Sequence, residues 1–302
     1  MVQVLKKRNQ TPWLAYLPTI AYSTIGFMLL IHIFDDDHVS GLHNLGPEPH
    51  DRDAHFVGGV KESHSSNSQS KSSSQQQRCP YTSIADLAPE ELHPVAGPRH
   101  MVTPPEGGPV HLVCCQTTKG PLNIMVHEKW AELGSRKFLE MVNAGYFSST
   151  VPMMRCIKNF LCQFGLNSDP ELSKKYRKSF PDDPNWLPEG PTNRENEQGV
   201  KRFAFGYLAY AGGGKNSRTN QFIVSLKDVP TLAGGSPWEV PWGELVGQHS
   251  FDTISKIYTG YGENGPPQGK LMNQGVTDEV KKEFPDLDYI LGCSVVDERT
   301  DQ

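Results

Sequence analysis

"VPMMRCIKNFLCQFG", residues 151–165, reads as two apolar runs joined by a polar turn, with Arg155 and Gln163 as the polar residues inside the runs. Side chains alternate between the faces of a strand, so the length of the turn decides which residues stand opposite one another. A three-residue loop of Lys158, Asn159 and Phe160 sets Arg155 against Gln163, whereas a two-residue loop pairs Arg155 with Cys162. The first register is preferred because it gathers both polar side chains on one outward, ligand-facing side.

The same grammar continues on either side of the hairpin. Eight short apolar runs follow one another from residue 111: HLVCCQTT, PLNIMVH, VPMMRCI, FLCQFG, FAFGYLAYA, NQFIVSL, VPWGELVG and YILGCSVV. Runs of this length with turns between them predict a mainly β fold, a closed barrel or a sandwich. Two helices are expected among them. One covers 129–144, where Trp130, Leu133, Phe138, Met141 and Val142 recur at helical spacing before a stop at Gly145; the other covers 251–258. The stretch 166–196, with its interspersed acidic and basic residues, is expected to be a solvated loop region.

With 302 residues, 36% of them hydrophobic, the chain can bury one core and carry attachments. From residue 109 onward 21 Lys and Arg face 23 Asp and Glu, which excludes a basic surface for nucleic acid. The six cysteines contain no C-x-x-C pair, and adjacent Cys114 and Cys115 would point to opposite faces of a strand. Neither a zinc site nor a disulfide framework is indicated, and no cofactor is expected. Eight of the eleven histidines precede residue 109, but the irregular spacing of His38, His43, His50, His55 and His64 fits a solvated linker better than a metal site.

Residues 13–34, WLAYLPTIAYSTIGFMLLIHIF, contain no Lys, Arg, Asp or Glu. As a helix they would span roughly 33 Å at about 1.5 Å per residue, enough to cross a bilayer. Lys6, Lys7 and Arg8 precede this stretch and Asp35, Asp36 and Asp37 follow it, so the positive-inside rule predicts a cytosolic N-terminus. No small-residue cleavage site follows, so the reading is an uncleaved signal anchor; an organellar presequence is the alternative. The expected plan is a short cytosolic head over 1–12, the membrane anchor over 13–34, a disordered Ser/Gln/His-rich stalk over 35–108, a folded domain over 109–298 and a tail over 299–302. The folded domain is then expected in a lumenal compartment of the secretory pathway.

Two segments carry a family resemblance. GPLNIMVHEKWAELGSRKFLEMVNAGYFSSTVPMMRCIKNFLCQFG, residues 120–165, resembles the first half of a cyclophilin, and GYLAYAGGGKNSRTNQFIVSL, residues 206–226, resembles that family's second signature. The resemblance runs from about residue 109 to 297. It implies an eight-stranded antiparallel barrel capped by two helices, and peptidyl-prolyl cis-trans isomerase activity on X-Pro bonds of client polypeptides. Arg155 would then be the catalytic residue. The resemblance further implies that Gln163 binds a substrate backbone carbonyl, and that Phe160, Leu161, Ile223 and Leu232 line the pocket for the proline ring. Gln221 and the backbone at Ala211 and Gly212 would hold the extended peptide.

The chemistry suits an arginine. Rotation about the X-Pro amide meets a barrier of about 18–20 kcal/mol because the C–N bond is partly double. Halfway round, the proline nitrogen regains a lone pair, and a donor aimed at it stabilises the twisted state above either planar one. Arginine stays charged and holds its donors in a fixed plane.

Several positions depart from the family pattern. Met153 and Met154 stand where Phe-His is usual, Phe164 and Leu166 replace a glycine and an aspartate, and Ile223 replaces a phenylalanine. Thr231 stands where a tryptophan is common, and Glu239 is the nearest counterpart of the pocket histidine. A pocket with fewer aromatics predicts reduced activity and weak or absent cyclosporin binding. The alternative function is a non-catalytic module that binds proline-containing segments or serves as a scaffold. A Golgi-type glycosyltransferase is suggested only by the anchor-and-stalk layout.

Overall fold

The computed structural model describes residues 78–88, 104–187, 203–229 and 232–300. The expected head, the anchor over 13–34, the greater part of the stalk, Thr231 and the end of the tail lie outside the described residues. Among the described residues no helix is long and apolar enough to cross a membrane.

All eight apolar runs form strands. They are β1 (Val110–Thr117), β2 (Gly120–His127), β3 (Val151–Pro152), β4 (Arg155–Cys156), β5 (Leu161–Phe164), β6 (Tyr207–Tyr210), β7 (Phe222–Ser225), β8 (Gly243–Val246) and β9 (Tyr289–Arg299). The eight strands expected become nine, because the run VPMMRCI is divided. Its first half pairs with β9 and its second with β5, and the two halves end the sheet order β3-β9-β1-β2-β8-β6-β7-β5-β4. Only Met153 and Met154 separate those ends in the chain, so the antiparallel sheet must curl back on itself, as a barrel does.

The core follows from strand alternation. Cys156, Cys162, Phe164, Leu208, Tyr210, Phe222 and Val224 face inward and pack with Phe138, Phe147 and Trp242 in one apolar cluster. Phe138 stacks on Trp242 with centroids 4.4 Å apart and meets Phe222 edge-on at 5.5 Å. Burying an aromatic ring of this kind contributes roughly 2–3 kcal/mol. Phe164, where the resemblance expects a glycine, points into this core with its ring 5.4 Å from that of Phe222.

Five α-helices lie among the described residues where two were expected: α1 (Glu132–Asn143), α2 (Pro170–Tyr176), α3 (Gln248–Ile254), α4 (Gln268–Gln274) and α5 (Asp278–Glu283). Helix α1 begins three residues after the expected start and has no side-chain cap of its own at Ala131. The carboxylate of Asp183 accepts instead from the amides of Leu133 (2.8 Å) and Gly134 (2.9 Å). Asp183 is itself paired with the fully buried Arg218 at 2.9 Å, whose guanidinium lies over the Phe180 ring. The stretch 166–196 is therefore not a solvated loop in its described part. It contributes α2, the helix cap Asp183 and the buried Leu187.

Two further expectations are corrected. Residues 78–88, placed in the stalk by the sequence, pack on the barrel: Ile84 and Leu87 sit against Leu112, Met125 and Val246. The cysteines also form bridges, Cys79–Cys114, Cys115–Cys293 and Cys156–Cys162. Cys114 and Cys115 do face apart on β1, as strand geometry requires, and each finds a different partner for that reason. Partners 35 and 178 residues away cannot be found from local spacing.

Candidate functional site

The hairpin β4–β5 has the expected register. Arg155 pairs with Gln163 and Cys156 with Cys162, and the amide of Ile157 donates to the carbonyl of Leu161 at 2.8 Å. This closes the three-residue loop Lys158–Asn159–Phe160, with Asn159 taking the left-handed conformation (φ 57°) that asparagine tolerates.

Directly opposite residues in an antiparallel sheet share a face, so the register lays out the site. Arg155 faces Gln163, Gln163 faces Ile223, and Ile223 faces Ala209 across four strands. The amide of Ala211 donates to the carbonyl of Gln221 at 2.9 Å and starts the next row. A polar chain runs along this face. Arg155 Nη1 donates to Gln163 Oε1 at 3.3 Å, and Gln163 Nε2 donates to Gln221 Oε1 at 2.9 Å. Since a guanidinium only donates, Gln163 must turn its oxygen toward Arg155 and its nitrogen toward Gln221.

The apolar residues expected to line the proline pocket gather beside this chain. Leu161, Ile223 and Leu232 belong to one cluster with Phe160 and Ala211 packed against it. They expose only 4%, 3% and 7% of their surfaces, so the floor of the pocket is nearly closed by its own side chains. Gly212 lies against Trp238, where a Cβ would come within 2.4 Å of the indole Cδ1. Its lack of a side chain therefore admits Trp238, whatever else approaches.

Two carboxylates complete the site. Glu263 grips Arg155 on two atoms, accepting from Nε at 2.6 Å and from Nη2 at 2.7 Å, and this hydrogen bonding holds its carboxyl below the usual range. No local signal points to it: Glu263 sits in the Gly- and Pro-rich stretch GYGENGPP, which carries no periodicity. Glu239, by resemblance the nearest counterpart of the family's histidine, is pushed up from 4.5 to about 7 by burial, against the opposing pull of the Ala233 amide and the Arg155 charge.

That shift predicts a pH dependence. Between 4.5 and about 7 the folded chain holds a proton on Glu239 that the unfolded chain has released. Its contribution to stability is fully present below 4.5 and is lost as pH rises through about 7. The loss amounts to on the order of 3 kcal/mol. Urea midpoints measured across this range should fall with rising pH in the wild type and stay nearly level in Glu239→Gln; equal slopes in both would rule the assignment out.

The arrangement offers what amide rotation needs: a charged planar donor beside an apolar floor, with side-chain amides that can hold an extended backbone. The chain is similar to several known proteins. The sequence model of the family described as cyclophilin type peptidyl-prolyl cis-trans isomerase/CLD matches residues 112–277. The peptidyl-prolyl cis-trans isomerase CYP18-2 of Arabidopsis thaliana is 29% identical over 135 residues, covering 43% of this chain and 72% of its own. The peptidyl-prolyl isomerase CWC27 of Yarrowia lipolytica is 25% identical over 186 residues, covering 62% of this chain but less than half, 45%, of its own. A crystal structure of a cyclophilin type peptidyl-prolyl cis-trans isomerase from Cryptosporidium parvum aligns with a TM-score of 0.42 at 19% identity, over 64% of this chain and 99% of that one.

Proposed function

Because the chain belongs to the cyclophilin type peptidyl-prolyl cis-trans isomerase family, we propose that it isomerises X-Pro bonds of client polypeptides, with Arg155 as the catalytic donor and a lower rate than a family member with a full aromatic pocket. The observation that carries this is the Arg155–Gln163–Gln221 chain on one sheet face beside Phe160, Leu161, Ile223 and Leu232. In this reading the peptide lies along Ala211, Gly212 and Gln221, and its proline ring enters beside Phe160. The ring must displace apolar side chains that now cover one another, which raises KM and weakens cyclosporin binding.

A second reading, peptide binding without turnover, is favoured by that same closure. Exchange NMR on an X-Pro peptide with the purified full chain separates the two. Line broadening from catalysed exchange supports the first; saturable binding with an unchanged exchange rate supports the second. Tight cyclosporin binding would contradict the account of the pocket.

The protein is further proposed to be membrane-anchored through residues 13–34, with a cytosolic N-terminus, a stalk that ends before residue 78 and the barrel in the lumen of the secretory pathway. The uncharged apolar span supports the anchor. The three disulfides support an oxidising compartment. Alkaline carbonate washing should leave the chain in the membrane pellet, and its release at full mass would sink the anchor.

A further inference from the structure

We infer that Glu263 is a positioning residue for Arg155: it locks the guanidinium plane so that the remaining N–H groups are presented to the proline nitrogen. This rests on the reading of Arg155 as the catalytic donor. A guanidinium has five N–H donors. Glu263 takes one from Nε and one from Nη2, and Gln163 takes one from Nη1. One hydrogen on each of Nη1 and Nη2 is left over. The carboxylate therefore sits on the side edge of the guanidinium and leaves donors for a substrate, which argues for positioning over blockage.

The grip comes from a built element. Glu263 lies in the short turn Gly262–Asn264, where the amide of Asn264 donates to the carbonyl of Tyr261 at 2.8 Å. Tyr261 packs edge-on against Tyr258 and Phe284, and its hydroxyl accepts from the amide of Asp286 at 3.0 Å. At the other end of the turn Gly265 presses on the strand run itself: a Cβ there would come within 2.1 Å of the carbonyl oxygen of Met154, the residue before Arg155. Met154 and Leu166 are buried against Leu271, Val280, Phe284 and Leu287 of the helical segment that follows. The departures at 154 and 166 thus build the seat for the turn that carries Glu263. An arginine otherwise free to rotate is held in one orientation before substrate arrives, which lowers the ordering cost of the twisted state.

The test uses exchange NMR with the purified full chain, together with thermal midpoints. Glu263→Ala and Glu263→Gln should lower kcat by about tenfold, a modest share of what preorganisation can supply, with KM moving less than about twofold. Glu263→Asp should recover part of the rate, and midpoints should hardly move because the pair is at the surface. Gly265→Ala should mimic Glu263→Ala in kcat by shifting the turn. Rates equal to or above wild type in the Glu263 variants would overturn the inference, and a higher rate would show that Glu263 occludes the site. In the Glu263 variants, a rate loss matched by a fall in midpoint would also overturn it, as a structural effect. If Arg155→Ala is as fast as wild type, the catalytic reading itself fails, and the inference with it, whatever Glu263 does.

Discussion

Arg155→Ala is expected to lower catalysed exchange of an X-Pro peptide by about a hundredfold or more, the usual cost of removing a single donor aimed at charge that develops in the transition state. Peptide affinity should change far less, because the apolar floor of Phe160, Leu161, Ile223 and Leu232 is left in place. Arg155→Lys should also be harmful. An ammonium is a point charge without a planar fork, so it cannot engage two atoms of Glu263 and Gln163 together while still donating to substrate. Lys158→Ala, on the exposed turn of the same hairpin, should leave the rate nearly intact. Equal exchange rates for wild type and Arg155→Ala would remove Arg155 from the mechanism.

The largest stability loss is expected at Asp183, far in sequence from α1, which it caps. Asp183→Ala removes the acceptor for the Leu133 and Gly134 amides and leaves the fully buried Arg218 without its closest carboxylate. Breaking a buried pair from one side costs about 3–5 kcal/mol, and Asp182, 3.5 Å from Arg218 Nε, offsets only part of the remaining charge. For a folded unit of this size the thermal midpoint should fall by on the order of 10 °C. Arg218→Met together with Asp183→Ala should be less harmful than Asp183→Ala alone, because the stranded charge is gone. A double variant as unstable as the sum of the two single losses would show that the ion pair is not the source.

Glu239 and Glu263 impose different pH windows on one arginine. Burial holds Glu239 protonated up to about 7, while hydrogen bonding to Arg155 keeps the Glu263 carboxyl below the usual range. Through neutral pH, Arg155 therefore keeps its bidentate partner while the charge on Glu239 changes. Rate profiles from Glu239→Gln and from Glu263→Gln should differ in their pH limbs accordingly.

The apolar runs that form strands, and the central hairpin, could be read from the sequence. Each strand is a short apolar run between turns, and those signals are local: the length of the run, Gly and Pro punctuation, and a loop length that fixes which residues face one another. The pairing of Arg155 with Gln163 was legible for that reason, as was the opposite facing of Cys114 and Cys115. The rest depended on contacts between distant parts of the chain. The division of VPMMRCI into β3 and β4 depends on partners more than a hundred residues later in one case and only a few in the other. Cys79 meets Cys114, Asp183 caps α1 and pairs with Arg218, and residues 78–88 join the barrel, all through contacts made only once the sheet has closed. Glu263 is the clearest case. A carboxylate in a glycine-rich turn has no periodicity to betray it, and its meaning comes from lying 2.6 Å from a guanidinium 108 residues away.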